Sequence, residues 1–372
     1  MKTFVRHAVT LLAIAVACQS GLALAADYYQ PSGSDQSVVP VGNEKTVGQG
    51  QSACSSCSPT ACGCAESCDG DSCCCRLGCD EQCDRVGIVG FAGLDSFKGV
   101  ADGSYQSNFG AVTGLNMGSQ LSALGDYGLG WQTGLSYGVY DLDGRSSTTF
   151  DAARSQTQLF VTTGLFHKAK CDQRLSFGLV YDWMFNEEWG VYGTDPTLGQ
   201  WRGQIEYALN GCNAVGFWGC ARDLGNVQTV TIPNTRGVIV ASRAISQANL
   251  FWHHKFCSGA DSYLWFGVPD HGRLNTTEGG SLIDWTFGAS VQVPLSCHLA
   301  LYANGAYFHP SAAAGATAAV ESGYDVGMGV VWYFGGGARS HAINGKCATP
   351  YMPVANNSTF LVDQAAPVVT TP

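Results

Sequence analysis

From Val86 to Gly335 apolar and polar residues alternate with a period of two, the pattern of strands that turn one greasy face outward. It is clearest over 281–294, where Ile283, Trp285, Phe287, Ala289, Val291 and Val293 interleave with Asp284, Thr286, Gly288, Ser290 and Gln292. Segment 322–335 repeats it, with Tyr324, Val326, Met328, Val330, Trp332 and Phe334 set against Asp325, Gly327 and Gly329. So does 174–187, with Leu175, Phe177, Leu179, Tyr181, Trp183 and Phe185 against Ser176, Gly178 and Asp182. The pattern predicts about twelve strands, over 86–98, 107–121, 127–142, 155–169, 174–187, 200–209, 213–223, 245–257, 261–268, 281–294, 298–308 and 322–335.

A soluble sandwich shares this period, so the connections decide. Short links near 122–126, 170–173, 210–212, 258–260 and 295–297 alternate with long ones near 99–106, 143–154, 188–199, 224–244, 269–280 and 309–321. Such alternation is what an antiparallel barrel gives when one rim carries turns and the other loops. The fold class expected is therefore all-β: an antiparallel transmembrane β-barrel of about twelve strands, preceded by a disordered leader and a Cys-rich segment. Within 224–244, Asn226–Val230 and Gly237–Ala241 have the composition of a further hairpin or an outer-loop extension.

Composition agrees, with 48 Gly, 11% aromatic and only 13% charged residues. Aromatics such as Trp131, Trp183, Trp201, Trp285 and Trp332 fall toward strand ends, where interfacial girdles form. A formal charge of −10 with no Lys/Arg cluster argues against nucleic acid as a partner. The partner expected instead is outer-membrane lipid. Residues 1–25, with Lys2 and Arg6 before an apolar run and Ala23-Leu24-Ala25 at its end, read as an export signal. A rival cut before Cys18 would leave a lipidated cysteine. Past residue 25 no run approaches the roughly 18 apolar residues of a membrane helix. The remaining divisions are a leader at 26–53, a Cys-rich segment at 54–84, the barrel at 85–335 and a periplasmic tail at 336–372.

The chain holds 17 cysteines. Cys54, Cys57, Cys62, Cys64, Cys68, Cys73, Cys74, Cys75, Cys79 and Cys83 crowd a segment with almost no large apolar side chains, which cannot form a core without cross-links. Thiols so spaced can also bind zinc or copper, but an oxidising compartment favours disulfides, and no metal or cofactor is expected. Cys171, Cys212, Cys257 and Cys297 fall at the short links, and Cys347 in the tail on the same side; only Cys220 lies within a strand. Disulfides among these residues would tie leader, turns and tail into one periplasmic collar, or join the protein to itself or to other envelope proteins.

The inward face includes Gln132, Gln158, Asp182, Arg202, Gln204, Glu206, Asp284, Gln292, Asn304 and Asp325. Acids outnumber bases, so an open lumen would weakly favour cations; alternatively these groups bond one another and fill a narrow barrel. His253 and His254 are adjacent on a strand and point to opposite faces, one to the lumen and one to the rim. No G-x-S-x-G or H-E-x-x-H is present, and no enzymatic activity is expected. Over 86–335 the chain resembles outer-membrane β-barrel proteins, with Val330-Val331-Trp332-Tyr333-Phe334 like their aromatic last strand, although about 38 residues follow. Signal, Cys-rich leader and glycine-rich barrel together resemble a planctomycete family of envelope proteins. The polar inward residues point to a passive pore for small solutes, and the ten-cysteine segment to the alternative of a structural envelope protein cross-linked by disulfides; an outer-membrane hydrolase is the lesser reading.

Overall fold

The computed structural model describes residues 86–369, apart from 100–101, 103–106, 122–126, 148–149, 170–172, 191, 232–236, 257, 271–282, 311–321, 336, 339–348 and 365–367. The expected signal, leader and Cys-rich segment, with Cys54 to Cys83 and also Cys171, Cys257 and Cys347, lie outside the described residues.

The strands are β1 (Val86–Lys98), β2 (Asn108–Gln120), β3 (Leu129–Ser147), β4 (Phe150–His167), β5 (Leu175–Glu187), β6 (Thr197–Ala208), β7 (Asn213–Arg222), β8 (Gly225–Thr231), β9 (Gly237–Ala244), β10 (Gln247–Lys255), β11 (Asp261–Pro269), β12 (Ile283–Pro294), β13 (Leu299–Pro310), β14 (Gly323–Tyr333), β15 (Val362–Gln364) and β16 (Val368–Val369). Twelve close into one barrel in the order β1-β14-β13-β12-β11-β10-β7-β6-β5-β4-β3-β2. β1 and β14 seal it antiparallel, from Val89 opposite Tyr333 to Lys98 opposite Tyr324. Closure leaves no edge strand, so the wall satisfies its backbone donors and acceptors internally.

The burial pattern is inverted relative to a soluble protein. Leu179, Leu250, Phe266, Phe287, Met328 and Trp332 stand exposed on the outside, while Gln132, Gln158, Asp182 and Asn249 are fully buried inside. An apolar belt of this extent is the surface that lipid solvates. Turning the chain into β3 takes Gly128, whose φ of 77° an L-residue rarely adopts.

Two expected loops are built differently. The polar stretch 143–154 belongs to β3 and β4, whose pairing continues past a register shift to Arg145 opposite Arg154 and Ser147 opposite Phe150. A hairpin beyond the wall has no greasy face, so alternation cannot reveal it. Within 224–244 the further hairpin does form: β8 pairs β9. β9 also receives β15, with Val362 opposite Ala244, and β16, with Val368 opposite Ile239.

The chain after β14, expected as a tail on the short-turn side, instead turns into the barrel. Met352, Val354, Ala355, Phe360, Leu361 and Val362 are all buried. Val354, Ala355, Phe360 and Val362 form one interior cluster with Phe160, Met184, Trp189, Leu198 and Ala244. Side chains fill a barrel of about eight strands; the twelve strands here also enclose this segment and a cavity beside it.

The outward assignment of β14 is testable at Met328, which is 59% exposed near mid-strand. Met328→Arg is expected to lower the stability of the liposome-inserted protein by about 2–4 kcal/mol in urea titrations, the cost of an arginine on a lipid face near the midplane.

Candidate functional site: the lumen and its internal strap

Alternation sends every second side chain of each strand into the lumen, where polar groups must find partners because little water reaches them. Much of the partnership is supplied by residues 349–364, a strap that climbs from the short-turn rim to the long-loop rim. At the first, Lys168 Nζ donates to Thr349 Oγ1 at 2.6 Å. Next, the Gln132 amide treats Met352 as a neighbouring strand would: its Oε1 accepts from the Tyr351 and Met352 N–H groups, each at 3.0 Å, and its Nε2 donates to the Met352 carbonyl at 2.9 Å. Asn116 Nδ2 donates to the same carbonyl at 2.9 Å. Arg202 Nη2 donates to the Pro353 carbonyl at 2.8 Å, and the Ala355 N–H donates to Thr162 Oγ1 at 3.0 Å. Asn357 Nδ2 reaches Gln158 Oε1 at 3.1 Å and Asp95 Oδ2 at 3.4 Å. Gln200 Nε2 donates to the Thr359 carbonyl at 3.0 Å, and the Ile245 N–H to the Leu361 carbonyl at 2.8 Å. β15 then joins β9.

Glycines make room for it. A Cβ on Gly178 would lie 3.0 Å from Met352 Sδ and Tyr351 Cδ1, and one on Gly134 would lie 2.5 Å from Val354 Cγ2. Higher up, the Phe360 ring packs against Phe160 with centroids 6.0 Å apart.

The lumen charges form two groups. Asp182 is gripped at both oxygens by Arg202, Nε to Oδ2 at 2.8 Å and Nη2 to Oδ1 at 3.1 Å, and accepts from Thr162 Oγ1 at 2.7 Å. Toward the short-turn rim, His253 is held between carboxylates, Nδ1 to Glu206 Oε2 at 3.2 Å and Nε2 to Asp261 Oδ1, while Lys255 Nζ lies 3.1 Å from Asp261 Oδ2. The His253 ring also stacks on Tyr263. Beside the strap is a cavity of about 460 Å³ whose lining includes Lys168, Glu206, His253, Asp261, Tyr263 and Tyr302. Lys168, in the turn after β4, is lowered to about 7 by desolvation and then by the neighbouring Lys255 ammonium, with Glu206 opposing.

Of the residues singled out in the sequence, the fold brings Asp182 and Arg202 together and sets Glu206 beside His253. Asp325 accepts from Asn304 Nδ2 at 3.4 Å, and Gln292 Nε2 donates to the Tyr333 hydroxyl at 2.6 Å. Gln204 lines the cavity. Asp284 sits half-buried at a register shift between Ile283 and Trp285, which gives the interior position to Ile283 instead. His254 points away from His253 and bonds Asn213 Oδ1 at 2.9 Å. Cys212 and Cys297, at the short-turn rim, are disulfide-bonded, and Cys220 is a buried free thiol. Sequence reading did not single out Asp95, Lys255, Asp261 or the strap. The available signal was Met352, Val354, Phe360, Leu361 and Val362 gathered in an otherwise polar tail.

Arg202→Ala would strand Asp182 unpaired in the interior, so a loss of about 3–5 kcal/mol is expected in urea unfolding of the reconstituted protein. Lys168 releases its proton near 7 in the native state but near the ordinary 10.5 when unfolded. Between those values the unfolded state binds more protons, so stability rises with pH. Lys168→Met is expected to flatten that rise, read as urea midpoints from pH 6 to pH 10.

No curated protein matches the chain. Among solved structures it is similar to an outer membrane channel from Pseudomonas putida F1, at 12% identity and a TM-score of 0.42 over 67% of this chain and 94% of that one. It is also similar to an anion-selective porin from Comamonas acidovorans, at 13% identity and a TM-score of 0.29 over 67% and 98%. The outer membrane phospholipase of Salmonella typhi gives 9% identity and a TM-score of 0.37 over 66% and 90%. A family model matches residues 86–362, a span that runs from the first barrel strand through the strap, and its description is a family of unknown function, DUF6666. The chain belongs to that family.

Proposed function

We propose that this is an exported outer-membrane channel for small solutes, closed at rest by its own C-terminal strap. The observation that carries the reading is the way the strap is held. It fills a polar lumen mainly through hydrogen bonds between wall side chains and its main chain. Such bonds contribute about 0.5–1.5 kcal/mol each against water, and ordering the strap costs about 1–2 kcal/mol per residue. A plug held this way is displaceable, unlike the wall, whose strands have no alternative partners in lipid.

With the strap withdrawn, Asp95, Asp182, Glu206, Asp261 and Asp325 would face the pathway against Arg202, His253, Lys255 and Lys168, an acid surplus that favours small cations and neutral solutes. In this reading the His253 cluster has a non-catalytic part, supported by the engagement of both its ring nitrogens by carboxylates, Glu206 and Asp261.

A structural envelope role is the second reading, favoured by disulfide-bonded Cys212 and Cys297 on one rim. Planar-bilayer recordings separate the two. Wild-type protein is expected to stay mostly silent, and Gly178→Leu, whose Cβ would press first on Tyr351 and Met352 of the strap, to give discrete conductance steps. Silence from the folded, inserted variant would favour the structural role, with covalent multimers that dissolve on reduction.

A further inference from the structure

We infer that the lumen is a track for an extended peptide, able to accept such a segment in trans, recognised chiefly through its main chain. This extends the channel reading and rests on it only in that the strap can leave.

The wall reads peptide groups rather than side chains. Gln132, Asn116, Thr162, Arg202, Gln200 and Gln247 come from five strands, β2, β3, β4, β6 and β10. Between them they bond main-chain groups from Tyr351 to Thr359, Gln247 Nε2 donating to the Ser358 carbonyl at 3.5 Å. Gln132 supplies both an acceptor and a donor to one residue, Met352, the pairing a peptide backbone presents and a simple ion does not. β15 continues the same logic as strand addition to β9.

Side-chain demands on the segment are few. Met352 lies over Gly178, Val354 over Gly134, and Phe360 against Phe160. These are shallow apolar sockets, and those at 352 and 354 are two residues apart, as the side chains on one face of an extended chain are. A separate observation points the same way. Asn116 is buried and lines the cavity beside the strap, yet its Oδ1 has no hydrogen-bond partner. That unspent acceptor lies beside the seat of Val354, next to Gly134. The ligand class is therefore an extended, uncharged oligopeptide with apolar residues two apart.

The test measures binding, not current. The strap competes intramolecularly at high effective concentration, so the full-length protein is made as Val354→Asp/Phe360→Asp to weaken its seat. Ala355→Asp/Leu361→Asp serves as a second version, and folding of each is verified by heat-modifiable gel mobility. A fluorescent peptide of sequence 349–362 is titrated against each in detergent and followed by anisotropy. Saturable binding is expected, at least tenfold weaker on wild-type protein. N-methylation of the peptide at Met352 and Ala355, or Gln132→Leu in the wall, is expected to weaken it at least tenfold as well. Equal binding of the methylated peptide, or no saturable binding to either folded variant, would overturn the inference. Peptide binding to a barrel that never conducts would instead sink the channel reading alone.

Discussion

Backbone hydrogen bonding in a medium without water is the constraint from which the rest of the structure follows. A strand in lipid has nowhere to place an unpaired N–H or C=O except on another strand, so the sheet must close, and here β1 seals onto β14. Closure with twelve strands also sets a lumen wider than the wall side chains can fill. The strap is the consequence. It supplies the missing volume with Met352, Val354 and Phe360, and the missing partners with its main chain.

Inverting inside and outside changes which residues carry stability. On the outer wall Leu, Phe and Val are in the solvent they prefer, and replacing one by another alters little. In the lumen, Asp182, Arg202, Thr162 and Gln200 form a network in which each partner offsets the desolvation of the next, and removing one exposes the others to that cost. The strap enters through the same network, since Arg202 binds both Asp182 and the Pro353 carbonyl. Wall and strap therefore share partners. Through Arg202 the seating of the strap is tied to the buried Asp182 carboxylate.

The two rims are chemically different. The long-loop rim carries a second small sheet, with β8, β15 and β16 arranged on β9, so the end of the strap is fastened by main-chain pairing. The short-turn rim carries Lys168, the His253 cluster, and the disulfide-bonded Cys212 and Cys297. The family match ends at residue 362, in β15, and so treats barrel and strap as one unit.

Strand positions were legible because a half-buried strand has a period of two that survives in the sequence whatever its partners are; parity then placed Asp182, Arg202, Glu206 and Asp325 inside. Parity failed at Asp284, where a register shift breaks the alternation, and it is silent in the β3–β4 extension, which has no apolar face. Local sequence thus determined the wall: its strands, their faces and the alternation of turns and loops. Only tertiary closure decided what the wall encloses. The strap is a short run with two prolines and no periodicity, and nothing local assigns it to a lumen. Its apolar residues and peptide groups acquire partners only once twelve distant strands have built a cavity with glycines and amides in matching places.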